Sequence, residues 1–295
     1  MTLPGDTTRA VAPGPGVLDT LLAMVAPPPS LSLIVPMYNE SARIAAPLRE
    51  MAEFLKRQPF STEIVLVDDG SSDDTAAVVA NVAGALDVPI RLIRYARNRG
   101  KGYALKVGFD AARGDRLVFS DCDLSTPIEE LPRFLAALEQ ADIAIGTRRA
   151  IGAELVRRQP LLRESLGKVF TMIVRMLIAP VSDATCGFKG FNRDVGKDLF
   201  ARQRIEDWSF DAELLLNARR RGYRLIELPV RWENRAGTKV HLARDIAMTL
   251  VGIIRIRLYD LLGRYESVMP VGETSREVFG DAVEPASLRP GGTDR

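Results

Sequence analysis

Short, almost wholly apolar segments alternate with helical segments through the first half of the chain, and this alternation restricts the fold more than any other feature. Runs such as Leu31–Pro36, Ile64–Val67 and Leu117–Phe119 are typical of strands buried on both faces of a parallel sheet. Ile90–Arg94 and Asp142–Gly146 are two further predicted strands. Because helical segments and short connections separate these strands, the sequence predicts an α/β fold with a single central, mostly parallel sheet flanked by helices.

Polar side chains follow three of the predicted strands at the point where each strand ends. Tyr38–Glu40 follow the first strand, Asp68 and Asp69 end the second, and Asp121 and Asp123 follow the strand of Leu117. Open α/β sheets bind their ligands outside the carboxyl ends of the strands. The sequence therefore predicts one ligand site at this edge of the sheet.

Asp121 and Asp123 are the candidate metal ligands. In an extended segment, residues i and i+2 point to the same side, so both carboxylates would enter one small volume. Two like charges that close need a cation or a proton between them, and oxygen ligands suit Mg²⁺ or Mn²⁺ bound together with substrate phosphates. The alternative is a strand-end turn in which aspartate only makes local hydrogen bonds. Cys122 would point to the opposite face and is interpreted as packing.

The sequence lacks a glycine-rich loop for binding phosphates. The first strand is followed by PMYNE, there is no Gly-Lys-Ser/Thr phosphate loop, and Gly100-x-Gly102 lacks the dinucleotide-binding spacing. A nucleotide bound at this edge would therefore be held by carboxylates and a metal ion.

Charge and cysteine content restrict the partners and the compartment. A net charge of +2 gives no general attraction to nucleic acid. Two cysteines in 295 residues do not form a disulfide framework and favour a reducing compartment. The N-terminus lacks the pattern of a signal peptide, and no apolar run reaches the roughly 18–20 residues of a membrane span. We therefore expect a cytoplasmic protein.

Two helical segments of the second half have mixed character. Leu161–Pro180 carries Glu164, Lys168 and Arg175 on one stripe and is apolar elsewhere, and Leu242–Leu262 is rich in isoleucine and leucine with scattered arginines. Such helices either pack into the core or lie on a surface of anionic lipid. The pattern leaves both interpretations open.

Eight motifs together resemble a known family. The first five are similar to those of family 2 glycosyltransferases with the GT-A fold: IVPMYNE at 34–40, VDDGSS at 67–72, NRGKG at 98–102, SDCDLSTP at 120–127 and GTR at 146–148. The other three resemble the dolichyl-phosphate β-glucosyltransferase branch, near the polyprenyl-phosphate mannose synthases: DATCGFK at 183–189, WSFDAEL at 208–214 and WENRAGTK at 232–239. The resemblance covers about residues 30–262.

The resemblance implies a domain organisation. We expect a flexible N-terminal tail over residues 1–29, a GT-A domain over 30–240, an amphipathic or packing helix over 241–263, and a flexible C-terminal tail over 264–295. Eukaryotic relatives carry an N-terminal membrane span, which this sequence does not show. We therefore expect peripheral attachment to the cytoplasmic face of a membrane.

The resemblance also implies roles for individual residues, which divide into three groups. Those that hold the donor nucleotide are Pro36, Tyr38, Glu40, Asp68 or Asp69, Lys101 and Asp121. The metal ligand is Asp123, with Asp121 beside it. The acceptor phosphate would meet Arg148, Arg163 and Lys189.

The expected reaction is an inverting, metal-assisted transfer of a hexose, glucose from UDP-glucose, to a dolichyl or undecaprenyl phosphate. A phosphate monoester, whose second pKa is about 6, is already an anion at neutral pH and needs no general base. A sugar hydroxyl acceptor would need one, and Asp211 is the candidate. The alternatives are GDP-mannose as donor, a soluble acceptor, or a non-catalytic scaffold that binds nucleotide sugar and membrane.

Overall fold

The computed structural model describes residues 27–157, 161–233, 242–269, 271 and 276–278. Its strands are β1 (Leu31–Met37), β2 (Thr62–Asp68), β3 (Ile90–Arg94), β4 (Arg116–Ser120), β5 (Ile143–Thr147), β6 (Glu154–Arg157), β7 (Phe188–Asn192), β8 (Leu225–Pro229), β9 (Arg231–Glu233) and β10 (Arg276–Val278). Its α-helices are α1 (Ala45–Lys56), α2 (Thr75–Ala83), α3 (Lys101–Ala111), α4 (Leu131–Leu138), α5 (Leu161–Leu177), α6 (Arg193–Arg202), α7 (Phe210–Arg220) and α8 (Leu242–Leu261). Two short 3₁₀ helices cover Ile128–Glu130 and Arg264–Glu266.

The main sheet has the strand order β10-β3-β2-β1-β4-β7-β5-β8. Strand β1 is central and pairs in parallel with β2 and β4, with Leu33 opposite Ile64 on one side and Val118 on the other. Strand β7 runs antiparallel between β4 and β5, and β10 runs antiparallel to β3 at the edge. The mostly parallel sheet predicted from the apolar runs is confirmed, and β7 is a strand that the sequence pattern did not predict.

Both faces of the sheet are covered, which explains the continuous apolar runs Leu33–Met37 of β1 and Ile64–Val67 of β2. All seven residues of each strand are buried. On one face a group of phenylalanines packs together, with the rings of Phe109 and Phe200 stacked 3.7 Å apart. On the other face Phe134 lies 4.8 Å from Phe188, beside residues of α1. Burial of these rings contributes much of the apolar stabilisation of the fold.

Helix α8 packs against α5 and α7 and is partly a core helix. Ile253 and Ile256 are buried, whereas Ile254 and Leu258 are exposed. The core-packing interpretation is therefore confirmed for one side of the helix, and binding of the exposed side to lipid stays a prediction. No helix within the described ranges has the length and apolar character needed to cross a membrane.

The chain remains packed beyond residue 263, where a flexible tail was expected. Arg202 donates hydrogen bonds to the carbonyl oxygens of Tyr265 (3.0 Å) and Glu266 (2.6 Å), and Tyr265 is buried. Arg204 donates to the carbonyl oxygen of Arg264 (2.9 Å). The structure differs from the prediction here because two arginines of the main domain bind the carbonyl groups of this segment. The predicted boundary at residue 240 lies outside the described residues.

Candidate active site

The parallel pairing of β1 with β2 and β4 brings the three predicted polar clusters to one edge of the sheet. The backbone N–H of Asp69 donates to the carbonyl oxygen of Met37 (2.8 Å), which joins the ends of β1 and β2. Side chains that are more than fifty residues apart in sequence therefore surround one volume at the carboxyl edge.

The loop after β1 is held in place by the loop after β2. Asn39 has a positive φ of 53°, in the left-handed region that asparagine tolerates better than most residues. Its Oδ1 accepts a hydrogen bond from the Ser72 N–H (2.8 Å), and its own N–H donates to Ser71 Oγ (2.8 Å). The Glu40 N–H donates to Thr75 Oγ1 (2.7 Å). These bonds give the predicted nucleoside loop one defined shape.

Within this loop the predicted nucleoside residues differ in exposure. Pro36 is buried inside β1, and the Glu40 carboxylate is buried in an ion pair with Arg43. Tyr38 is 39% exposed, so of these three side chains its ring is the one open to solvent.

Asp69 organises the loop that carries the NRGKG motif. Its Oδ1 accepts hydrogen bonds from the Tyr95 hydroxyl and the Arg99 N–H (both 2.7 Å). Its Oδ2 accepts from Asn98 Nδ2 (2.8 Å) and the Gly100 N–H (2.9 Å). Burial raises the pKa of this carboxyl, although the hydrogen bonds from Arg99, Tyr95 and Gly100 oppose the shift. Each carboxylate oxygen of Asp69 therefore accepts two hydrogen bonds from groups of the protein.

Asp68 is also buried and is bonded within the protein. Its Oδ1 accepts from the Ser71 N–H (2.9 Å). Its Oδ2 lies 3.1 Å from Arg94 Nε and has no hydrogen bond within the part of the chain that the structure describes. This oxygen is closed to solvent, so it faces the Arg94 cation rather than the open edge of the sheet.

Asp121 and Asp123 lie at the end of β4 in a turn rather than in an extended segment. The Leu124 N–H donates to the Asp121 carbonyl oxygen (3.2 Å), and Leu124 has a positive φ of 52°. Asp123 Oδ1 accepts from the Ser125 N–H (2.9 Å). The i, i+2 geometry assumed from the sequence is therefore wrong, and the local hydrogen bond of the alternative interpretation is present. Cys122 packs against the apolar core as predicted.

Lys101 is the cation beside the first of these carboxylates. Its ammonium group donates to Asp121 Oδ1, and it lies 5.3 Å from the ring centre of Trp208. Burial lowers the pKa of Lys101, but the negative charges of Asp121 and Asp211 outweigh this effect and leave the pKa raised. Lys101 therefore remains positively charged at neutral pH.

A divalent ion fits this site only with help from a ligand. Among the described residues no group of three or more histidine, cysteine, aspartate or glutamate side chains could hold a metal ion by itself. Asp121 is 39% exposed, so its carboxylate faces the open edge of the sheet. Ions such as Mg²⁺ and Mn²⁺ commonly bind through one or two carboxylates together with substrate phosphates. Asp121 and Asp123 match that pattern.

Gly187 is a site residue that the sequence analysis did not single out. Its carbonyl oxygen accepts a hydrogen bond from the Asp121 N–H (3.1 Å). A Cβ atom at this position would overlap the carboxylate of Asp121. Only glycine leaves room for that carboxylate, and the glycine inside the DATCGFK motif was the available signal.

Arg148 is fixed by a carboxylate that was also missed. Its Nε and Nη2 donate to the two oxygens of Asp183 (2.7 and 2.9 Å), and Nη2 also donates to Thr185 Oγ1 (2.8 Å). The guanidinium carbon lies 5.5 Å from the ring centre of Trp232. Burial alone would raise the pKa of Asp183, but Arg148 lowers it well below the usual range. The bidentate pair holds the Arg148 charge in one orientation.

Lys189 and Asp211, predicted for different roles, form one buried ion pair. Lys189 Nζ donates to Asp211 Oδ1 (2.6 Å) and to the Cys186 carbonyl oxygen (2.7 Å), and Lys189 is only 2% exposed. Burial raises the pKa of Asp211, although Lys189 and Lys101 oppose the shift. Lys189 thus holds Asp211 inside the protein, and the side chain of Arg163 lies outside the described residues.

The segment before α7 closes the site on one side. The Tyr103 N–H donates to the Glu206 carbonyl oxygen (3.3 Å), and a Cβ atom at Gly100, which has a φ of 107°, would overlap Glu206 backbone atoms. This contact brings Trp208 beside Lys101. The tryptophan of the WSFDAEL motif was the sequence signal for this side of the site.

A fold of this type with carboxylates at its carboxyl edge is the arrangement of a nucleotide-sugar transferase, and the chain belongs to glycosyl transferase family 2. Residues 32–200 match the model of that family.

Several relatives of the chain are eukaryotic dolichyl-phosphate β-glucosyltransferases. A dolichyl-phosphate β-glucosyltransferase of Trichomonas vaginalis is 34% identical over 245 residues, which covers 79% of this chain and 72% of the relative. The enzyme of the same description from Saccharomyces cerevisiae is 32% identical, over 80% of this chain and 76% of its own length. The human enzyme is 32% identical, over 72% and 70%.

Solved structures share the fold at low identity. Mannosyl-3-phosphoglycerate synthase from Rubrobacter xylanophilus aligns with a TM-score of 0.58 and 17% identity, covering 82% of this chain and 77% of that chain. Glucosyl-3-phosphoglycerate synthase from Mycobacterium tuberculosis, in complex with Mn²⁺ and UDP-glucose, aligns with a TM-score of 0.55 and 18% identity, covering 87% and 85%. The predicted GT-A fold and the prediction of a glycosyltransferase are confirmed.

Proposed function

We propose that the protein transfers glucose from UDP-glucose to a polyprenyl phosphate and inverts the anomeric centre to give a β-linked product. The observation that carries this proposal is the similarity to dolichyl-phosphate β-glucosyltransferases, which extends over about four fifths of the chain. Charged side chains at the carboxyl edge of the sheet support the proposal.

The donor nucleotide would lie against the loops after β1 and β2. Tyr38 offers an exposed ring for the base, and we assign the buried Asp68, which is bonded to Ser71 and paired with Arg94, to holding the loop after β2. We assign Asp69, with Pro36 and Glu40, to supporting these loops, because its oxygens are already bonded to the NRGKG segment.

The diphosphate of the donor would lie beside Asp121 and Asp123. A bound Mg²⁺ or Mn²⁺ ion would be held by these carboxylates and would neutralise charge on the departing diphosphate. Lys101 adds a positive charge next to Asp121 that burial does not remove. A positive side chain fixed in advance stabilises charge that develops in the transition state without having to reorganise.

The acceptor phosphate would meet Arg148. Asp183 and Thr185 hold its guanidinium group before any ligand binds, so little side-chain entropy is lost on binding. Because the acceptor phosphate is an anion at neutral pH, it attacks without a general base. Asp211 is bonded to Lys189, and we therefore assign it to positioning the cations rather than to proton removal.

The apolar acceptor suggests peripheral attachment to a membrane. Helix α5 exposes Met172 and Met176, and α8 exposes Ile254 and Leu261. Arg175 lies exposed among these residues of α5. Apolar side chains flanked by cations favour the surface of an anionic bilayer, and the proposed location is the cytoplasmic face of such a membrane.

The test is a transfer assay with purified protein. Mg²⁺ or Mn²⁺ is supplied with UDP-glucose or GDP-mannose, with and without farnesyl phosphate, and lipid-soluble sugar is counted. We expect transfer from UDP-glucose that depends on both the metal and the lipid phosphate. Transfer from GDP-mannose alone would contradict the proposed donor, and transfer only to soluble acceptors would contradict the proposed acceptor.

Asp123→Ala tests the role of the carboxylate pair in the same assay. We expect turnover to fall by about a hundredfold or more, the scale on which a single electrostatic group contributes to catalysis. Asp87→Ala is the matched control, because Asp87 pairs with Lys56 on the surface, away from the carboxyl edge. Wild-type turnover in Asp123→Ala would contradict the assignment.

A further inference from the structure

Trp208 places an exposed indole beside the proposed reaction centre. This side chain has no role in the reaction proposed for the protein. It is 55% exposed, and its ring centre lies 5.3 Å from Lys101 Nζ, which donates to Asp121. Large exposed aromatic side chains in a site are typical contact surfaces for apolar parts of a ligand.

The segment that carries Trp208 is held rigidly. The Ser209 N–H donates to Asp207 Oδ1 (2.8 Å), and the Phe210 N–H donates to the Asp207 carbonyl oxygen (3.3 Å). Glu206 is anchored by Arg99, whose Nε donates to Oε2 (3.1 Å). The backbone on both sides of the indole is therefore fixed. A ligand that packs on the ring would cause little loss of backbone conformational entropy.

Both neighbours of Trp208 contact helix α8. Asp207 Oδ2 lies 3.6 Å from Arg255 Nη1. A Cβ atom at Gly252 would overlap Ser209 Oγ, so the backbone of α8 packs directly on Ser209. Trp208 therefore lies where the reaction centre meets α8.

An exposed apolar stripe of α8 adjoins this contact. Val251, Ile254 and Leu258 follow the i, i+3, i+7 spacing of one helix face and are each about half exposed or more. Gly252 and Arg255, which touch the Trp208 segment, lie on the adjacent side of the same helix turns. The surface thus changes from the charged reaction centre around Asp121, where Lys101 and Arg148 both lie, through one indole, to an aliphatic stripe.

This sequence of charge and apolar surface matches a phosphate joined to an isoprenoid chain. We infer that Trp208 determines acceptor specificity by packing on the first isoprene units of a polyprenyl phosphate and directing the chain onto the α8 stripe. The inference rests on the proposed function, since it presupposes a lipid-phosphate acceptor. It goes further in assigning the apolar part of that acceptor to one side chain and one helix face.

Tryptophan fluorescence tests the contact without any turnover. The chain has two tryptophans, so the part of an emission change that is lost in Trp208→Phe comes from Trp208. We expect farnesyl phosphate to shift its emission to the blue, because the indole leaves water, and inorganic phosphate to leave the emission unchanged. An emission unchanged by farnesyl phosphate, or one shifted by UDP-glucose alone, would overturn the inference.

Steady-state kinetics provide the second test. We expect Trp208→Ala to raise the KM for farnesyl phosphate by about tenfold or more, the scale of losing one buried aromatic contact, with the KM for UDP-glucose unchanged. Trp208→Phe should recover most of the loss. A wild-type acceptor KM in Trp208→Ala would overturn the inference and leave the proposed function intact.

Failure of the proposed function is seen separately. If the wild-type protein transfers no glucose to farnesyl phosphate, the proposed reaction is wrong whatever Trp208 does. The fluorescence titration then still decides whether Trp208 binds an isoprenoid phosphate, because it needs no reaction.

Discussion

At the scale of single residues, the contact between Gly187 and Asp121 shows how closely the site is packed. The carboxylate of Asp121 occupies the space where any larger residue at position 187 would place its Cβ atom. The same backbone position also accepts the Asp121 N–H, so the main chain and the side chain of Asp121 both depend on it. Binding of a metal ion by Asp121 should therefore be sensitive to a single methyl group added at position 187.

Gly187→Ala should displace the Asp121 carboxylate and weaken its use as a metal ligand. We expect the activity at saturating metal to fall about tenfold or more, and half-maximal activity to need more Mg²⁺ or Mn²⁺, within the range seen when supports of metal ligands are removed. The measurement is transfer rate against metal concentration.

Gly84→Ala is the control for this change. The nearest atom to a Cβ at Gly84 is 3.8 Å away, and its φ of −62° suits alanine. Its metal dependence should equal that of the wild type. An unchanged metal dependence in Gly187→Ala would show that Asp121 does not need the position in which the structure holds it.

At the scale of elements, helices α5 and α8 combine a core face with an exposed apolar face. In α5, Val174 is buried while Met172 and Met176 are exposed. A helix with this division stabilises the fold through one side and remains available to a bilayer through the other. Arg175 adds a charge that an anionic membrane would attract.

Arg175→Glu should weaken binding to anionic liposomes at low salt. Each cation near such a surface contributes about 1 kcal/mol to the binding free energy. Reversal of one charge should therefore lower the partition coefficient for the vesicles by about tenfold or more. Sedimentation with phosphatidylserine-containing vesicles measures the effect.

Arg57→Glu is the matched control for charge reversal. Arg57 is an exposed arginine just after α1, near the amino ends of the strands where Ser30 pairs with Ser61. It therefore lies at the edge of the sheet opposite the site. Equal loss of liposome binding in both variants would indicate general charge attraction and contradict a role for the α5 surface.

Elements also differ in how far their sequence reveals them. The runs of β1, β2 and β4 are apolar because both faces are buried, and this pattern is visible in the sequence. Strand β7, with the sequence FKGFN, shows neither a continuous apolar run nor a clear alternation. Helix α7 begins at Phe210, directly after a turn in which Asp207 Oδ1 accepts a hydrogen bond from the Ser209 N–H.

At the scale of the whole molecule, Glu213 joins α7 to the segment that leads into it. It is fully buried, and its two oxygens accept hydrogen bonds from the N–H groups of Arg204 and Ile205 (both 3.0 Å). Burial raises the pKa of Glu213 from 4.5 to about 7. The folded state therefore binds a proton more readily than the unfolded chain does.

This pKa shift predicts a loss of stability as the pH rises. The contribution of protonated Glu213 is fully present below pH 4.5 and is lost as the pH passes through about 7. Over that range we expect Glu213 alone to lower the free energy of unfolding by about 3 kcal/mol. Urea unfolding of the wild type and of Glu213→Gln, from pH 5 to pH 8, measures it.

Glutamine at position 213 has one side-chain oxygen, so it can keep only part of the hydrogen bonding of Glu213. It cannot ionise. The difference in unfolding free energy between the wild type and this variant should therefore change with pH in the stated direction. A difference that is constant from pH 5 to pH 8 would show that Glu213 does not titrate in this range.

The amino-acid sequence by itself determined the fold class, the family and the edge of the sheet where the polar clusters meet. These follow from local patterns, since buried strands must be apolar and the ends of parallel strands meet at one edge. Only the tertiary structure decided which polar side chains are bonded to other groups of the protein and which are open to a ligand. Asp69 is saturated by the NRGKG segment, and Lys189 is committed to Asp211. Such pairings join residues from distant elements. They depend on hydrogen-bond geometry in three dimensions, and the spacing of residues along the chain does not reveal that geometry.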